Sequence, residues 1–244
     1  LNFGAAEVTV RNSSFRNNDV GIYDYNTGLG EIKYTDISAN KFTGLAIDSS
    51  SSAMKIHDNS MDDQPIGLYV LSYSGQPTPT AQSVYTNDIR NNDEGVVYAN
   101  DNVVYSTALI ESNSIVGNTV GANTRWGDGD IRLVSNWWGC NEGTGASRCE
   151  RVSGCSNTDP RAMITIDMTS PVLGGSTHTA TVSAQKNSAG DTLVHNIPYT
   201  PVDFTAFHAT MDPSNITLAE GIAQSDATFS NNFNTASVSG TMDN

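Results

Sequence analysis

Positive charge is scarce in this chain. Twelve Lys and Arg stand against 26 Asp and Glu, a net charge of −14 over 244 residues. That balance excludes nucleic acid and an anionic membrane surface as expected partners. No run of 18 apolar residues occurs, so no membrane span and no membrane insertion are expected. Hydrophobic residues make up 37% and aromatics 8%, lean for a thick globular core but enough for a thin one. Cysteine is limited to Cys140, Cys149 and Cys155. Zinc wants four ligands and no His lies near this cluster, so no metal and no cofactor are expected. A disulfide in an oxidising compartment accounts for it better. Cys140–Cys149 is the favoured pair, closing the Gly-rich loop 141–148, with Cys140–Cys155 as the competing pairing. The sequence opens on Leu1 with no initiator Met and no signal peptide, which reads as a processed chain or part of a longer one.

What the chain does have is a repeat. Val8–Ile22, Met54–Leu68, Val84–Val96 and Ile110–Ala122 carry one pattern, Ile37–Gly44 is a copy with one extra residue, and Ile131–Trp138 is a half-copy. Glycines 21, 44, 67, 95 and 121 step by roughly 23 to 28 residues, a solenoid period. Each unit holds short strand-like runs between Asn, Ser, Asp and Gly corners, with no helical period. Strands of successive coils would stack in parallel register about 4.8 Å apart, piling equivalent apolar residues into interior columns. Phe15, Ile37, Met61, Ile89, Ile115 and Trp138 form one expected column. Val10, Ile56, Val84 and Ile110 form a second, and Ile22, Leu68 and Val96 contribute to a third. The repeating glycine is expected at a tight bend, for positive φ or close backbone approach. Asn59, Asn87, Asn113 and Asn136 share a corner where Asn tolerates the left-handed conformation and can bond to the next coil.

These coils resemble the right-handed parallel β-helix repeat proteins, a superfold shared by pectate lyases and NosD-like repeat proteins. Ser135-Asn-Trp-Trp-Gly-Cys140, followed by a Gly-rich loop and a second Cys, resembles the end of such modules in large surface proteins of bacteria and methanogenic archaea. The resemblance implies an aromatic pair plugging the last coil and a short extended linker, 156–160, leading to a sandwich domain. From Met163 the runs are longer and alternate apolar with polar, as in antiparallel sandwiches. Expected strands are Met163–Met168, His178–Ala184, Pro201–Ala206, Gly221–Phe229 and Ala236–Met242. The skeleton from Gly174 to Val238 is similar to bacterial immunoglobulin-like domains of invasin-type and methanogen adhesin-like proteins, which implies a spacer role.

Catalytic chemistry finds little support. Asp62-Asp63, Asp93-Glu94 and Asp128-Gly-Asp130 are the acidic candidates, with Arg16 and Arg90 at one phase of their coils, but Asp is also a plain turn former. Copper would want clustered His and Met, and only His57 lies near Met54 and Met61. His178, His195 and His208 read as ordinary surface residues. No catalytic residue is assigned. Asn12-Ser-Ser14 and Asn215-Ile-Thr217 match glycosylation sequons, making Asn12 and Asn215 candidate acceptors.

The expected architecture is all-β: a short parallel β-helix over 1–159, then an immunoglobulin-like sandwich over 160–244 that lacks its last strand. The expected function is that of an extracellular, cell-surface structural or adhesive protein and not an enzyme. Its expected partners are copies of itself, joined head to tail by strand addition into a filament or array. The alternative is a carbohydrate-binding or polysaccharide-degrading β-helix module with surface carbohydrate as partner, using a row of Tyr23, Tyr69 and Tyr98.

Overall fold

The computed structural model describes residues 8–25, 29–48, 54–72, 83–100, 108–125, 131–147, 149–155, 158–168, 174–198, 200–230 and 236–242. Five coils of three strands each build the first unit. They are β1 (Val8–Arg11), β2 (Ser14–Arg16) and β3 (Val20–Tyr25); then β4 (Leu29–Lys33), β5 (Asp36–Ser38) and β6 (Thr43–Asp48). The third coil is β7 (Lys55–His57), β8 (Ser60–Asp62) and β9 (Ile66–Ser72). The fourth is β10 (Ser83–Tyr85), β11 (Asp88–Arg90) and β12 (Glu94–Asn100). The fifth is β13 (Leu109–Glu111), β14 (Ser114–Val116) and β15 (Val120–Arg125), and β16 (Val152–Ser153) adds a partial sixth turn. Strands of equal rank stack into three parallel sheets: β1-β4-β7-β10-β13, β2-β5-β8-β11-β14 and β3-β6-β9-β12-β15-β16.

The predicted columns are present. Phe15, Ile37, Met61, Ile89 and Ile115 are register partners in sequence, and the bridge of Ser114 to Trp137 sets Trp138 on top of them. All but Phe15, at the first coil, belong to the fully buried core. The second column runs Val10, Ile32, Ile56, Val84, Ile110, and the third Ile22, Leu45, Leu68, Val96, Ala122, Val152. Ile32 and Leu45 are members that the sequence reading does not find. The extra residue of the second coil falls after Asn40, where Lys41 and Phe42 stand exposed outside the core.

Two details of the corners differ from expectation. The left-handed conformation belongs to the residue before each ladder asparagine: Asp58, Thr86, Ser112 and Ser135 have φ of 55°, 55°, 54° and 58°. This frees the asparagine to turn inward. The repeating glycines are absent from the described positive-φ residues, so close approach is their reason. A Cβ on Gly67 would stand 2.7 Å from the carbonyl oxygen of Gly95 in the next coil.

The second unit has two antiparallel sheets. One is ordered β17 (Ala162–Met168), β18 (Thr177–Asn187), β22 (Ile222–Phe229), β20 (Ala209–Asp212). The other is ordered β21 (Asn215–Thr217), β19 (Pro201–Phe207), β23 (Ser237–Met242). β20 and β21 are short, partly exposed strands that no long alternating run announces. Along β22 the burial alternates residue by residue, the pattern of a strand with one face on a core.

Described residues of the two units bond to one another directly, and residues 156 and 157 of the expected linker lie outside the described residues. Trp138 packs into the β-helix core, while Trp137, one residue earlier, packs with Val116 into the sandwich core beside Val182 and Phe204. The Asn141 side chain acts as a surrogate strand. Its Nδ2 donates to the Ile164 carbonyl at 2.7 Å and its Oδ1 accepts from the Ile164 amide at 2.8 Å. Arg161 Nε donates to the Asn141 carbonyl at 2.9 Å, and the Ala162 amide to that of Asn136 at 2.9 Å.

Candidate functional site

The first sheet presents an outward row of Arg11, Lys33, His57, Tyr85 and Glu111, in register across the coils. Alternation along β7 puts Ile56 inside and His57 outside, so His57 cannot join Met54 and Met61, both buried in the core. The His57 ring sits between two carboxylates, with Nε2 3.0 Å from Glu31 Oε1 and Nδ1 2.7 Å from Asp58 Oδ2. Lys33, and then His57, hold the Glu31 carboxyl down to about 2. Tyr85 stacks on His57 at 4.7 Å and 4°, and His195 of the second unit stacks on Tyr85 at 4.0 Å and 15°. Burial, and then the charge of Asp58, push the Tyr85 phenol up. His195, expected to be an ordinary surface residue, is thus one of the contacts between the units.

Beside this stack lies a cleft of about 390 Å³. Its β-helix wall is the corner bearing Tyr34, Asp58, Thr86 and Asp88; its sandwich wall is Asn196–Pro198, Leu218 and Glu220. Asp88 is paired with Arg90 through Oδ2, while Oδ1 has no partner among the described residues. Burial raises its carboxyl above the usual range. No sequence motif marks this cleft, because its two walls lie more than a hundred residues apart in the chain.

Two of the acidic candidates, Glu94 and Asp62, are engaged elsewhere. Glu94 pairs with Arg125 and accepts from Asn123, Asp62 accepts from Asn91 at 3.1 Å, and Arg16 pairs with Asp36. Asp128 and Asp130 lie outside the described residues. Tyr98 is fully buried, so the expected row of Tyr23, Tyr69 and Tyr98 does not form on the surface. Tyr23 donates to Asp48 at 2.8 Å.

Cys140 and Cys149 are bonded to each other, and Cys155 is free, its thiol pushed up by burial and in contact with Thr124 Oγ1. Glu142 lies beside the bonded pair, and a bonded pair has no thiolate to give a metal. Asn12 and Asn215 are both exposed. Within the coils runs a second amide ladder that sequence reading does not find. Asn18 Nδ2 donates to Asn40 at 3.3 Å, Asn40 to Gln64 at 2.9 Å, and Asn92 to Asn118 at 2.9 Å. It ends on Glu150, whose Oε1 accepts the Asn118 amide at 3.0 Å. Burial raises the Glu150 carboxyl to about 7.

In the sandwich, β23 pairs with β19 and has no strand on its other side among the described residues. A cavity of about 250 Å³ opens next to it, between Gly240–Met242, Ile164, Trp137 and Asn141. Among the described residues no helix is long and apolar enough to cross a membrane.

The profile of the family described as periplasmic copper-binding protein (NosD) matches residues 2–128, just over half of the chain. No curated protein matches it.

Proposed function

Since the chain belongs to the NosD family of parallel β-helix proteins, a periplasmic family and so one of the extracellular or envelope space, we propose that it is a structural or adhesive subunit there rather than an enzyme. In this reading the protein is a stiff rod whose immunoglobulin-like sandwich accepts a strand from a neighbouring copy, head to tail, giving a surface filament or array. The observation that carries it is the edge of β23. There, Ser237, Ser239 and Thr241 are exposed and the 250 Å³ cavity lies ready for a side chain of an added strand. Stacked parallel ladders and two amide ladders supply the stiffness, and two of the acids considered for catalysis, Glu94 and Asp62, are bonded across coils to Arg125 and Asn91.

The copper in the family's description is not carried over to this chain. Copper favours converging imidazole, thioether or thiolate donors. Here Met54 and Met61 are core residues, both His57 nitrogens face carboxylates, and Cys140 is bonded to Cys149.

Electron microscopy over a concentration series tests assembly. Filaments are expected for the parent and isolated molecules for the Ser237→Lys/Thr241→Lys variant, since edge lysines block strand pairing. A parent that stays monomeric at every concentration sinks the reading.

A further inference from the structure

The fold treats the two sequons, Asn12-Ser-Ser14 and Asn215-Ile-Thr217, very differently. In the ladder, Asn59, Asn87 and Asn113 point inward and give Nδ2 to the carbonyls of Ile32, Ile56 and Val84, which leaves no amide for chemistry. Asn12 stands one residue short of that ladder. Arg11 pairs with Lys33, and Lys33 with His57, so Asn12 is level with Tyr34 and Asp58 on the outside of the corner. Like them it is left-handed, with φ of 49° beside 50° and 55°, a conformation that Asn tolerates. Asn12 is exposed, and its side-chain amide has no partner among the described residues. The hydroxyl two residues on, Ser14, is exposed and unbonded in the same sense, while Ser13 is spent on the Arg11 carbonyl at 2.9 Å. β1, β2 and β3 each end their sheet among the described residues, so one neighbouring coil alone crowds this corner.

Asn215 has none of this freedom. It lies in β21, an extended strand paired with β19, directly opposite Asp203. Its Nδ2 already donates to Asp203 Oδ1 at 2.5 Å. Sequons are used in surface loops. A transferase must draw the amide and the following hydroxyl into its own site, which an open corner permits and a paired strand resists.

We propose that Asn12 is an N-glycosylation site and that Asn215 is not. The donor is a saccharide carried on a lipid phosphate or diphosphate. Asn12 Nδ2 bonds to its anomeric carbon as the bond from that carbon to the carrier oxygen breaks. The carrier leaves with the electron pair, Nδ2 gives up one proton to it, and no oxidant or reductant enters. The product is a bulky, hydrated group at the outer corner of the first coil. The proposal rests on the envelope location and not on assembly, so a parent that stays monomeric leaves it standing.

Glycopeptide mass spectrometry on the chain purified from the cells that make it tests this. Cleavage after Arg11 and Arg16 releases the whole first sequon as residues 12–16. That peptide is expected to carry a saccharide, and the peptide covering Asn215 its bare mass. Produced in the same cells, Ser14→Ala should lose the saccharide and Ser14→Thr keep it, both with the parent's melting temperature. Three results overturn the proposal: a bare 12–16 peptide in the parent, a saccharide on Asn215, or a saccharide retained on Asn12 in Ser14→Ala.

Discussion

Asn87 is bonded on every side. Its Nδ2 donates to the carbonyls of Ile56 at 2.8 Å and Tyr85 at 3.0 Å and to Asn113 Oδ1 at 2.9 Å, and its Oδ1 accepts from Asn59. Asn87→Ala would strand several buried groups, each costing about 1–3 kcal/mol. We expect a loss of roughly 3 kcal/mol or more and a Tm about 6–12 °C lower, read by circular dichroism; an unchanged Tm would deny the ladder any energetic role. Ile89→Asp puts an unpaired charge into a dry column and should cost several kcal/mol, unfolding the solenoid under conditions where the parent persists. Glu150 predicts a pH dependence. Its folded carboxyl, at about 7, lies above the ordinary 4.5. Between those values the folded state holds more protons than the unfolded one, so this residue's contribution to stability falls as pH rises from about 4.5 to 7 and then levels off. Glu150→Gln, which continues the amide ladder as Gln64 does, should raise Tm at pH 8 and leave it nearly unaltered at pH 4. Equal shifts at both pH values would contradict the assignment.

At the scale of the element, the coils were legible because a parallel stack repeats its chemistry at one phase. Ile37, Met61, Ile89 and Ile115 recur at positions that only a stack would align, and the structure makes them neighbours. The second amide ladder was hidden because Gln64 and Glu150 interrupt the run of asparagines, although both keep an amide or carboxylate oxygen at the same phase. Ile32 was hidden by a short connection, 26–28, where later coils have longer ones such as 73–82. The cleft and the Tyr85–His195 stack left no trace in the sequence, since they depend on how two units meet. The glycine corners carry a prediction here. A Cβ at Gly67 would stand 2.7 Å from the Gly95 carbonyl and 2.9 Å from Ile89 Cγ2, so Gly67→Ala must push two coils apart. Overpacking of this kind costs about 1–3 kcal/mol, and a chemical-denaturation midpoint equal to the parent's would show that the coils yield freely.

Over the whole molecule, the Cys140–Cys149 bond closes the loop that follows the two tryptophans. Peptide mapping without reduction should recover this pair with Cys155 alkylated; a Cys140–Cys155 peptide would refute the pairing. The two indoles themselves decide how the molecule comes apart. Trp137 belongs to one core and Trp138 to the other, across a single peptide bond. Trp137→Ala should cost about 3–5 kcal/mol and split one calorimetric transition into two. In the intact chain, tension applied to the sandwich reaches the last coil through the Trp137–Trp138 pair, the Asn141–Ile164 clasp and the bonds of Arg161 and Ala162 to Asn141 and Asn136, all of them short-range contacts. A pull along the rod would therefore meet abrupt, brittle rupture at the two tryptophans before either unit unravels.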